Sequence, residues 1–112
     1  MAENIIAVRQ EEIRTKDLQR QIEMDVKLAL GALRNASRQV EAAEEGLKLA
    51  DTELAHARQR YDEGVVNSIE ITDAQNRIER ARDNSTDALY NLNAANIDLL
   101  VATGKIMELV HE

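Results

Sequence analysis

From Ile22 onward the chain places apolar or small residues at alternating steps of four and three, in two runs with a single break between them. The first run is Ile22, Val26, Ala29, Leu33, Ala36, Val40, Ala43, Leu47, Ala50, Leu54, Ala57 and Tyr61. The second is Ile71, Ala74, Ile78, Ala81, Ser85, Ala88, Leu92, Ala95, Leu99, Ala102, Ile106 and Leu109. A period sustained at about 3.5 residues belongs to a helix that supercoils around a partner. Most heptads pair one large residue with one alanine, and small residues at a contact let helix axes approach closely. The pattern therefore predicts two long helices packed tightly against each other.

The break, RYDEGVVNSIEITDAQ over residues 60–75, carries the signals that end one helix and start another. Gly64 suits the left-handed position just past a helix end, where a Cβ costs energy. Asn67 can cap the next helix while Glu70 reaches back to its N–H, with Ser68 as the competing cap. Helix one is expected over about residues 4–63, the tip over 64–67 and helix two over 68–110. So short a connection makes the helices antiparallel neighbours. The fold class is all-α, a long antiparallel α-helical coiled-coil hairpin with Leu/Ala heptads that self-associates into a helical bundle.

Three regions depart from the repeat. Ile5, Ile6, Val8, Ile13 and Leu18 are apolar but off the later register, so the N-terminal stretch reads as helix one continued and frayed at its start. Gly31 and Gly46 are either tolerated within helix one or mark a bend or the close approach of another helix. Gly104 marks a weakening or end of helix two. Leu89, Ile97, Leu100 and Val101 lie off the seam, and a second apolar face of this kind calls for more helices than two.

Composition narrows the function. Among 112 residues there is no Pro, Cys, Trp or Phe, and the only aromatics are Tyr61 and Tyr90. A globular core takes much of its buried area from aromatics, so this core is a thin aliphatic seam. A net charge of −7 opposes nucleic-acid binding, which requires a basic face. No window matches a membrane-spanning helix of about 20 apolar residues, and the N-terminus lacks the pattern of a secretory signal. His56 and His111 have no companions at metal-ligand spacing and are expected to face solvent. The carboxylates fit a solvated helix face paired with Arg and Lys. No nucleophile elbow or phosphate loop is present. Neither enzyme activity nor a cofactor is expected.

With a hairpin established, Arg60, Tyr61, Gly64, Asn67, Ile69, Ile71, Asp73, Ala74 and Gln75 stand in an order and spacing that resembles the periplasmic hairpin tip of the TolC-like outer-membrane efflux and secretion channels. The flanks are similar as well. DVKLALGALRNASRQVEAAEEGLKLADTELAHARQRY resembles the family's descending helix, and NRIERARDNSTDALYNLNAANIDLLVATG its returning one. The likeness covers nearly the whole chain.

The resemblance implies a periplasmic location beneath an outer-membrane β-barrel, in a trimer whose hairpins form a helical tunnel. It implies that the tip docks a periplasmic adaptor protein linked to an inner-membrane pump. By position, Glu63, Gly64 and Val65 form the adaptor-contacting turn and Tyr61 stands where some members place a gating tyrosine. Val66 stands where some members carry a gating arginine, which implies a looser or apolar constriction in place of an ionic one. Between Val65 and Val66, at least one is expected to be exposed in so tight a turn. The barrel strands, a second hairpin and a signal are not in this sequence, which is read as an excised segment able to pair into a dimeric four-helix bundle or larger assembly. Two rival readings are the α-hairpin of the adaptor itself, whose expected tip leucine and serine do not fall into place here, and a cytoplasmic coiled-coil scaffold with no export role.

Overall fold

A computed structural model describes the backbone of residues 2–111. It contains two helices, α1 (Ala2–Asp62) and α2 (Ser68–His111), joined by a short turn. The fold is all-α, a helical hairpin. α1 begins at Ala2, slightly before the expected start, and ends at Asp62, leaving Glu63 in the turn. Among the described residues no helix is long and apolar enough to cross a membrane. The side chains of the seam positions Ile106 and Leu109, and of His111, fall outside those described.

The helices pack in two units, Arg34–Ala94 and Met1–Leu33 with Ala95–Glu112. In the unit Arg34–Ala94 the direction and register of packing are shown by cross-helix pairs. Arg77 Nη1 donates to Glu53 Oε2 at 3.2 Å, and Arg60 Nη1 lies 3.9 Å from Glu70 Oε2. Moving up α1 therefore means moving down α2, residue for residue, which is antiparallel packing. A core cluster of Ala50, Leu54, Ala57, Ala74 and Ile78, with Leu47, Ile71 and Ala81 against it, runs beside these pairs and beyond the Glu53–Arg77 pair.

In that register each layer of the cluster sets one large residue against one alanine: Ala57 with Ile71, Leu54 with Ala74, Ala50 with Ile78, Leu47 with Ala81. Such layers have nearly constant volume, so the helices stay close along their length. Continuing upward, Ala43 meets Ser85 and Val40 meets Ala88. The Ala43–Ser85 layer is the one here with no large residue. Its two members are half-buried, as are Leu47 and Ala81 in the next layer towards the turn.

The unit formed by Met1–Leu33 and Ala95–Glu112 repeats the arrangement. Ile22, Ala95 and Ala102 are buried, and Val26, Ala29, Leu33 and Leu99 are half-buried. A shallow groove of about 340 Å³ is lined by Asp25, Leu28, Ala29 and Ala32 from α1 and by Asp98, Val101, Ala102 and Lys105 from α2. Ile5, Ile6, Val8, Ile13 and Leu18 are exposed, as are Ile97, Leu100 and Val101. Gly104 does not end α2, which runs on to His111. Its cost of about 1 kcal/mol relative to alanine is small beside the continuing backbone bonds and seam.

Every described seam position except Tyr61 is buried or half-buried. Seven of the ten buried apolar residues are alanines, and no side chain among those described is fully removed from solvent. The core is thus a narrow alanine-rich stripe. Threonines are accommodated within the helices by donating to the preceding turn, as Thr52 does to the Lys48 carbonyl at 3.0 Å and Thr72 to Ser68 at 3.1 Å. A Cβ placed on Gly31 or Gly46 would meet nothing within 4 Å, so neither glycine is required by a neighbour in this chain.

Candidate functional site

The turn between α1 and α2 is held by its backbone. Gly64 has φ of +76°, a conformation in which an L side chain is strained. Its N–H donates to the Tyr61 carbonyl at 3.0 Å, and the Val65 N–H donates to the Arg60 carbonyl at 2.9 Å. These two bonds form a Schellman motif, which satisfies carbonyls left free at the end of α1. On the other side Asn67 Oδ1 accepts the Ile69 N–H at 3.2 Å and the Asn67 carbonyl accepts the Glu70 N–H at 3.3 Å. Asn67 is therefore the N-cap of α2, satisfying a donor at its first turn.

Glu70 departs from the capping-box arrangement. Its carboxylate faces Arg60 across the hairpin rather than the Asn67 N–H. A guanidinium within reach offers a charged donor, and the position also sets negative charge at the start of α2 and positive charge at the end of α1, complementing both helix dipoles.

The turn leaves apolar surface uncovered. Val65 is 69% exposed, Ile69 63% and Tyr61 47%, while Val66 is half-buried. The seam thus ends at Ala57 and Ile71, and Tyr61 does not close it. Of the two valines, Val65 is the one left open to solvent. Glu63, Gly64 and Asn67 are exposed alongside them. Tyr61, Glu63, Gly64, Val65, Val66, Asn67 and Glu70 all fall within this one turn and its flanks, as their closeness in sequence requires.

Beside the turn runs a charged groove of about 510 Å³, lined by Glu53, His56, Arg60, Glu70, Asp73 and Arg77 over a floor of Ala57 and Ala74. His56 is exposed on its rim. Sequence reasoning passed over this groove and the exposure of Ile69. The signal was present in the heptad spacing of Glu53 and Arg60 on one helix and of Glu70 and Arg77 on the other. An exposed apolar turn bordered by alternating charges offers a surface for protein contact.

Neither a curated relative nor a solved structure matches the chain. A family model described as outer membrane efflux protein matches residues 4–105, spanning both helices and the turn. The match covers nearly all of the sequence, and the chain belongs to the outer membrane efflux protein family.

Proposed function

We propose that this chain is the periplasmic, tunnel-forming hairpin of a TolC-like outer-membrane channel for efflux or type I secretion. Its turn docks the periplasmic adaptor protein of a tripartite export pump. The observation that carries the reading is the family match over residues 4–105. Channels of that family are oligomeric, have periplasmic helical domains and work with adaptor proteins. The family is one of transport rather than catalysis. Its description is of the channel, which favours neither the adaptor's own hairpin nor a cytoplasmic scaffold.

Within this reading the chain is one part of a longer protein whose β-strands span the membrane, and the assembled channel is a trimer. Glu63, Gly64 and Val65 form the adaptor-contacting turn. Val65 supports that role because its side chain is open to solvent at the very end of the hairpin. Tyr61 is the gating residue in this reading, and its exposure is compatible with that role. Val66, half-buried, gives the constriction an apolar member in place of an ionic one.

The test is made in the full-length channel. Gly64→Pro forces φ to about −65° where the turn needs +76°, and it removes the N–H that bonds Tyr61. Val65→Asp places a charge on the exposed apolar surface without altering the backbone. Both are expected to abolish export while trimers still assemble in the outer membrane. Normal export by both variants would refute adaptor docking at this turn.

A further inference from the structure

We infer that a row of charged residues flanking the seam, centred on Glu53–Arg77 and Arg60–Glu70, disfavours heptad-slipped pairings of α1 and α2 and so reinforces the register that the turn sets. The turn bonds at Gly64 and Asn67 fix where the chain reverses, and the seam adds little to that choice. With large residues and alanines alternating regularly, sliding one helix by a heptad leaves the layers almost unchanged. Leu54 would meet Ala81 in place of Ala74, and Ala57 would meet Ile78 in place of Ile71. Apart from Ala50, which would meet Ser85, the displaced layers nearest the turn still pair one large residue with one alanine, so their apolar burial distinguishes the two arrangements only weakly.

The flanking row distinguishes them. In the observed register Glu53 faces Arg77 at 3.2 Å and Arg60 faces Glu70 at 3.9 Å. Asp25 and Lys105 line one groove in the other unit, in the same relation. A slip of one heptad in one direction sets Arg60 against Arg77. The opposite slip sets Glu53 against Glu70, and Asp25 against Asp98. Both neighbouring registers thus exchange attraction for repulsion at the same positions. This is how charges beside an antiparallel coiled-coil seam select among alternatives of equal burial. The single pairs are exposed and individually weak; their weight comes from opposing both slips together.

Register has a consequence at the turn. A slip that brought Arg60 towards position 77 would strip two turns from the start of α2. The Asn67 cap and the chain direction that exposes Val65 and Ile69 would be lost with them. These ladder residues are positioning residues for the tip, whatever partner the tip meets.

Disulfide trapping in this chain tests the inference. Gly46 and Asn84 line one groove in the observed register, and a Cβ on Gly46 meets nothing within 4 Å. A Gly46→Cys/Asn84→Cys pair should close rapidly within one chain. A Gly46→Cys/Asn91→Cys pair lies one heptad, about 10 Å, out of line. That exceeds the roughly 7 Å that a disulfide spans, so the pair reports the slipped register.

Arg77→Glu should raise the rate of the second closure about tenfold, since it removes attraction from one register and supplies it to the other. Adding Glu53→Arg should bring that rate part of the way back, because the native pair returns with reversed polarity while the slipped pair persists. The expected order is wild type, then double variant, then Arg77→Glu. An unchanged rate in Arg77→Glu would overturn the inference, as would a rate in the double variant equal to that in Arg77→Glu. The experiment is independent of export, so its failure would leave the channel reading untouched.

Discussion

Replacing Ser85 by isoleucine should stabilise the hairpin, although it adds a large apolar group to a polar position. On α2, Ser85 occupies the place in the repeat that Ile71 and Ile78 fill nearer the turn, and in the observed register it faces Ala43. Ile78 is 5% exposed opposite Ala50, which is 7% exposed, so the space left by an alanine accepts an isoleucine in this geometry. Burying an aliphatic side chain fully is worth about 1.5–3 kcal/mol. The Ser85 layer is half-buried, so about half of that is realised, and the gain is about 1 kcal/mol. Chemical denaturation followed by far-UV circular dichroism should show a higher midpoint with the slope unchanged. Ala43→Leu should give a similar gain for the same reason. The two combined should fall short of their sum or destabilise, because two large residues overfill one layer. Destabilisation by Ser85→Ile alone, or additive gains from both changes, would show that Ser85 and Ala43 do not share a layer.

Leu54→Ala should cost about 2–3 kcal/mol, towards the low end for core truncations because the seam is thin, while Leu49→Ala should stay within about 0.5 kcal/mol. Leu54 is 8% exposed and Leu49 61%, and parallel thermal melts would separate them. Asn67→Ala should lower stability by about 1 kcal/mol through loss of the bond to the Ile69 N–H, and an unchanged denaturation midpoint would count against that cap.

Much of this protein was legible in its sequence because the information is local or repeats at short range. The steps of four and three name the buried side of each helix, and the described seam follows them from Ile22 to Ala57 and from Ile71 to Ala102. Gly64 announces a left-handed residue through the absence of a Cβ, and it adopts φ of +76°. The pattern around Tyr61, Gly64 and Asp73–Gln75 points to a family that the match over residues 4–105 identifies.

Other features depend on which residue of α2 lies opposite which residue of α1, and a heptad repeat leaves that undetermined. Only the packed structure shows the Glu70 carboxylate 3.9 Å from the Arg60 guanidinium across the hairpin, where the sequence suggested a bond to the Asn67 N–H. Only there does Tyr61 turn out to lie beyond the last buried layer, with Val66 half-buried and Val65 left in water. Gly104 illustrates the same division, since its local preference against helix was overridden by its place within α2. Periodicity determined which face each helix buries. Which residue of α2 faces which of α1, as Glu53 with Arg77 and Arg60 with Glu70, is cross-helix information that only the tertiary structure supplies.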